Sequence, residues 1–172
     1  MANSTFPTLI GKGNGGNGRV VNNLKRNLFP FAVNFKWVWY TVFDITRSVA
    51  ALEADGSQEF DLHTYDPTNL FPANVERKKP YVRLITNFTG GAVNASTITV
   101  GDTGAANGLI TSTSVFSGAP KIIQTVGATE YADRIETAFI PVAVIATTNG
   151  NVNALTAGKA LIAIAFNPLI SI

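Results

Sequence analysis

The acids of this chain fall at Asp44, Glu53, Asp55, Glu59, Asp61, Asp66, Glu76, Asp102, Glu130, Asp133 and Glu136, and its one histidine is His63. Glu59/Asp61 and Asp61/His63 are spaced two apart, so in an extended strand each pair shares a face. Two carboxylates on one face suit acid–base work or a hard cation. A solvated strand face accounts for the same residues more simply. No G-x-S-x-G turn supplies a nucleophile for Asp61 and His63, and Ser117-Gly118 alone does not replace it. Asp102, in VGDTGAANG, lacks the D-x-D-x-D-G spacing of a calcium loop and is expected to bond its own turn. Gly13-x-Gly15-x-x-Gly18 has the dinucleotide spacing, yet no hydrophobic strand precedes it and no helical pattern follows. The run Glu76-Arg77-Lys78-Lys79 reads as a solvated loop face before a strand, with phosphate or an acidic partner as its other use. These residues predict no catalytic, cofactor-binding or metal-binding site, and no enzyme.

Composition points to a chain that covers its surface with partners. Of 172 residues, 46% are hydrophobic and 14% charged, against about 25% charged in an ordinary domain. That length holds one domain with a real core. Without cysteine there is no disulfide framework or thiolate metal site, so packing and association supply the stability. No run reaches about 18 apolar residues, so no membrane partner is expected. The first residues, MANSTFPTLIGKG, lack the order of a secretory signal, which leaves a cytosol as the expected place of synthesis.

Charge is distributed unevenly. Lys12, Arg19, Lys25, Arg26 and Lys36 all precede Asp44, the first acid. Residues 1–27 read as a flexible, basic, Gly/Asn-rich arm that a partner orders. Arg19, Lys25 and Arg26 are its candidate contacts with an acidic surface. Five cations over so many residues are too dilute to predict nucleic-acid binding.

Residues 28–172 read as strands. In FAVNFKWVWYTVF, residues 31–43, large aromatic groups recur every second position, the period of a strand. At the strand rise this run would span about 40 Å. Phe29, Phe31, Trp37 and Trp39 are candidate partner contacts. Three environments suit the tryptophans: the domain's own core, a subunit interface, or a stacking platform for bases or sugars. Further strands are expected at 81–88, 97–100, 121–126, 134–146 and 159–166, and a short strand or helical turn at 48–53. Pro141 should mark an edge or a bulge, and Asn149-Gly150 a primed hairpin turn. In residues 159–166 both faces are apolar and one is small, as in a sheet covered twice. No sustained helical period appears. The expected fold is all-β: a single β-sandwich, jelly-roll-like, or a β-barrel, with an extended N-terminal arm.

The segments FDITRS (43–48), YVRLITNFTGG (81–91), STITVGDTGAANGLITSTSVF (96–116) and NALTAGKALIAIAFNPL (153–169) occur in the order seen in small β-sandwich virion proteins of tailed bacteriophages, which this chain resembles over roughly residues 40–170. In that pattern a strand ending in FTGG leads to a VGDTG loop, and an LTAGKA strand closes the domain. Gly101, Asp102, Gly104 and Gly158 match its turn positions. The resemblance implies a capsid decoration or cement protein, a homotrimer that binds the major capsid protein and locks capsomers in the virion after assembly in the host cytoplasm. The basic arm has no counterpart in the pattern. That leaves a jelly-roll coat subunit and a head–tail or tail-spike component as alternatives, with a carbohydrate-binding module and an acid-pair hydrolase behind them.

Overall fold

Alternation in the last long apolar run decides the architecture. In the computed structural model, which describes residues 37–47, 51–119, 122–123, 134–136 and 138–168, Ala157–Pro168 forms strand β9. Ala160, Ile162, Ile164 and Phe166 point to one side, Leu161, Ala163 and Ala165 to the other, and all are buried. A strand apolar on both faces belongs in the middle of a sheet covered twice. β9 pairs antiparallel with β1 (Trp37–Asp44) on one edge and β3 (Val75–Thr89) on the other. The short strands β6 (Ile122–Ile123) and β7 (Arg134–Glu136) pair with β3 and complete a five-stranded sheet.

The second sheet has four strands in the order β2 (Ser57–Asp61), β8 (Pro141–Thr148), β4 (Ala95–Asp102) and β5 (Ala105–Ser114). Apart from the β4–β5 hairpin and the β6–β7 step, each successive strand changes sheet. Orders β1-β9-β3-β6 and β2-β8-β4-β5 make a double-sheet jelly roll. The chain thus forms the expected all-β sandwich, with two sheets in place of one closed barrel.

Between the sheets lies one apolar core, with Trp39, Phe43, Phe88 and Phe166 facing Phe60, Ile98, Ile110 and Ile145. Phe43 is its aromatic hub, 5.0 Å from Phe60, 5.2 Å from Tyr65 and 6.1 Å from Phe88 between ring centroids. At one corner three hydrogen bonds tie the sheets together. The Phe88 N–H donates to the Val115 carbonyl (2.9 Å), the Val115 N–H to the Ser96 carbonyl (3.0 Å), and the Ser96 hydroxyl to the Phe88 carbonyl (2.7 Å).

Several expectations need correcting. The loop expected over residues 65–80 follows a one-turn helix, α1 (Leu62–Tyr65), and its last six residues belong to β3. Its charged run therefore lies in a strand, and Arg77 is buried with its guanidinium 5.2 Å from the Phe139 ring centre. Pro80 is tolerated in β3 because the register shifts between Arg77 and Pro80. The strand expected over 134–146 is two strands in different sheets. Pro141 is the first residue of β8, a central strand and not an edge, where its missing N–H costs little. Asn149 has the left-handed φ of 59° that its turn requires, but no hairpin follows. The chain passes through a 3-10 turn, Val152–Ala154, to β9 in the other sheet. Residues 51–53 are irregular, and 48–50 lie outside the described residues.

Two glycines expected in turns are strand residues. A side chain at Gly101, in β4, would strike the backbone of Ala105 and Ala106, and one at Gly158, in β9, would strike the Phe88 ring. Each marks a close approach. Asp102 and Gly104 do form the β4–β5 turn, where Asp102 Oδ1 accepts from the N–H groups of Gly104 and Ala105, both at 2.8 Å. Gly158→Ala should destabilise the domain by about 1–3 kcal/mol through overpacking. In a Phe88→Ala background the same change should cost less, the remainder coming from the positive φ of 159° at Gly158; urea unfolding of the four proteins in the cycle measures the coupling.

Candidate functional site

The residues with the best catalytic credentials are used structurally. Asp61 ends β2 and caps α1: its Oδ1 accepts from the N–H groups of His63 (2.7 Å) and Thr64 (3.1 Å). Glu59 remains an exposed strand residue. His63 Nε2 accepts the Phe71 N–H at 2.7 Å, so the proton of the neutral ring sits on Nδ1. Burial pushes the His63 pKa down, and the Asp61 charge offsets this only in part. Among the described residues no group of three or more His, Asp or Glu side chains is placed to hold a metal ion, and no helix is long and apolar enough to cross a membrane.

Together these bonds fix residues 61–71 as a plug against the free edge of β1. The Tyr65 hydroxyl accepts the Asp44 N–H (2.7 Å) and donates to the Asp44 carbonyl (2.8 Å). Asn69 Nδ2 donates to the Tyr40 carbonyl (3.0 Å), and the Asn69 carbonyl accepts from Trp39 Nε1 (2.9 Å). Unpaired strand edges recruit other strands, and side chains that occupy the edge groups prevent it. The Arg47 guanidinium stacks over Tyr65 at 4.7 Å and steadies the plug.

This placement corrects the expectation for Trp39. It is fully buried, edge-on to Phe71 at 5.8 Å, and belongs to the subunit's own core. Trp39 and Phe43 of β1 both face the other sheet, so these aromatic residues build the interior. Trp37 is the first residue of β1. Arg19, Lys25, Arg26, Phe29 and Phe31, and the boundary expected between residues 27 and 28, lie outside the described residues.

The outer face of the β1-β9-β3 sheet is apolar as well. Val38, Tyr81, Leu161, Ala163 and Ala165 form a second cluster there, with Tyr40 and Val42 packed against it. Registers arrange this face in rows across the strands. Val38 stands beside Ala165, then Tyr40–Ala163–Tyr81, then Val42–Leu161–Arg83–Ile122. Val38, Ala165, Ala163 and Tyr81 are buried. The last row opens: Arg83 is exposed, Ile122 is 51% exposed, and nearby Ile85 is 48% exposed. An open groove of about 630 Å³ lies here, lined by Val42, Arg83, Leu84, Ile85 and Leu161.

Beyond the groove the Asp44–Lys159 pair closes the face at 2.8 Å. Burial raises the Asp44 pKa, but the Lys159 ammonium and the hydroxyl and N–H of Thr46 outweigh it and hold the carboxyl below its usual value. Lys159 is thereby neutralised, and Arg83, which has no ion pair with a described residue, is the exposed cation that lines the groove. Sequence alternation flagged β9 as apolar on both faces; it carried no signal that four separate strands would align Val42, Leu161, Arg83 and Ile122.

No family model and no curated protein matches the chain. The chain is similar to one in a solved structure described as the cyanophage Pam1 capsid asymmetric unit, with a TM-score of 0.48 and 17% sequence identity, covering 90% of this chain and 88% of that one.

Two outcomes test the plug. Tyr65→Phe strands the Asp44 N–H and carbonyl and should lower stability by about 1–3 kcal/mol, with faster aggregation as the β1 edge opens; urea unfolding and light scattering measure both. His63 is lowered in the folded state, so the unfolded chain binds the extra proton and stability rises with pH. Its contribution is complete above the unfolded value of 6.5 and is lost as pH falls from there towards the folded pKa. Urea midpoints measured from about pH 7.5 to 5 should fall for the native protein and stay nearly level for His63→Gln, whose amide oxygen still accepts from Phe71.

Proposed function

We propose that the chain is a structural virion protein that works as a capsid decoration, or cement, protein and bridges neighbouring capsomers of a phage head. Its partners in this reading are the major capsid protein and further copies of itself, assembled as a trimer, without catalysis or a cofactor. The observation that carries the reading is the open end of the outer face of the β1-β9-β3 sheet, where Ile85 and Ile122 stay exposed beside Arg83 and the groove. A cement protein needs a rigid body with apolar area left for neighbours, and burial of that area returns roughly 25 cal/mol per Å². The strand and turn pattern that resembles tailed-phage virion proteins supports the same reading. So does a basic arm able to order on an acidic surface, at a cost of about 1–2 kcal/mol per residue in backbone entropy. Symmetric repetition multiplies such modest contacts.

A second reading, a coat subunit that builds the shell itself, draws on the strand order, since viral coats use double-sheet jelly rolls. That support is an analogy of fold. A genome-facing arm would bind nucleic acid with a steep salt slope.

Purified chain should rebind heads stripped of it and raise the temperature at which they break open. Removal of residues 1–27 should leave cooperative unfolding intact and weaken rebinding. Shell formation by the isolated chain, or salt-sensitive nucleic-acid binding that needs the arm, would favour the coat reading; failure to bind heads at all would reject the cement role.

A further inference from the structure

We propose that the groove along Val42, Leu161 and Arg83 receives the Leu70/Ile140 end of a second copy of this chain, so that copies join head to tail. The proposal deepens the assembly role above and rests on it. Among the described residues, four large apolar side chains stay exposed, and they fall in two places. Ile85 and Ile122 border the groove. Leu70, 54% exposed, precedes Phe71, and Ile140, 40% exposed, follows Phe139. The Phe71 and Phe139 rings meet at 4.9 Å, which brings Leu70 and Ile140 to one end of the sandwich. Asp102 reaches the same end, because its register partner is Pro141, the neighbour of Ile140. Asp102 uses Oδ1 in its own turn, which leaves Oδ2 for a partner.

Charge selects the occupant. The groove is apolar around one uncompensated cation, so it fits aliphatic side chains accompanied by a carboxylate. The chain's own arm carries Lys12, Arg19, Lys25 and Arg26 and no acid, and would set cation against cation. Groove against groove, in a two-fold dimer, would oppose Arg83 to its own copy and leave Leu70 and Ile140 in water. The Leu70/Ile140 end brings two aliphatic side chains and Asp102. Because the two patches differ, the contact is heterologous, and it builds a ring when the repeated rotation closes.

Native mass measurement of the full chain tests this with Arg83→Glu, which spoils the groove, and Leu70→Glu/Ile140→Glu, which spoils the inserting end. All three sites are exposed, so each variant should unfold as cooperatively as the parent. The parent should form a closed oligomer. Each variant alone should be monomeric, its self-association weakened by about thirty-fold or more, as for a hot-spot loss. Mixed together, the variants should form one-to-one heterodimers and nothing larger, because one intact groove and one intact inserting end remain. A monomeric parent, a variant that keeps the parent mass, or a mixture of monomers alone would overturn the proposal. Head binding is scored on the same samples. An oligomer of this kind that ignores stripped heads rejects the cement role and leaves the contact standing, and a head-binding monomer does the reverse.

Discussion

The enclosure of β9 is the constraint from which the remaining structure follows. Its two edges are taken by β1 and β3, and its two faces are buried. A strand so placed cannot shift register by one residue without exchanging Ile162 and Ile164 for Ala163 and Ala165 across the sheet. The inner face would then lose large groups where Phe43, Phe88 and Phe166 pack, and the outer face would gain bulk where alanines lie buried. Register in turn fixes which residues stand side by side, including the Asp44–Lys159 pair at one end of β1 and the row that becomes the groove. Gly158 belongs to the same logic, since the Phe88 ring fills the space its side chain would take.

A jelly roll leaves edges, and here one of them is closed by residues with another apparent use. Asp61 and His63 have the types and spacing of acid–base residues, yet these two and Tyr65 bond backbone groups of their own segment or of β1. The capped turn of α1 presents Tyr65 to Asp44, and the bond from Phe71 to His63 holds the return of the chain towards β3. With the β1 edge occupied, the exposed apolar residues of the sheet lie at the open end of its outer face, at Ile85 and Ile122. Faces select partners by shape and charge, whereas an open edge accepts almost any strand.

Legibility in the sequence followed the range of the interactions involved. β9 and the strand character of β1 could be read from period-two alternation because it acts residue by residue along one strand, whereas the core placement of Trp39 could not. The Asp102 turn could be read because an aspartate two and three residues ahead of its donors is a local arrangement. The start of β3 could not: ERKKP carries every mark of a loop, and only the pairing of residues 75–77 with both β7 and β9 draws it into the sheet. Asn149-Gly150 specified a left-handed residue correctly but not the destination of the chain, because a turn motif encodes φ and ψ, not the partner strand. The groove was least legible, since its row takes one residue from each of four strands.

Spacing between the two proposed contact patches comes from β1. Leu70 belongs to the plug, which is bonded to the β1 edge at Tyr40 and Asp44, and Val42, the first residue of the groove row, lies midway between those two bonds. A single strand thus carries the inserting end on its edge and the receiving groove on its face. No linker intervenes, so the angle between the patches is set by strand geometry and held by Tyr65, Asn69 and the Trp39 indole. Ring closure demands that constancy: each added copy must turn by the same angle, and a loosely tethered end would yield open chains of varied length. On the proposed contact, the hydrogen bonds that tie residues 61–71 to β1 would serve two ends at once, closing the strand edge and holding the inserting end at a fixed angle.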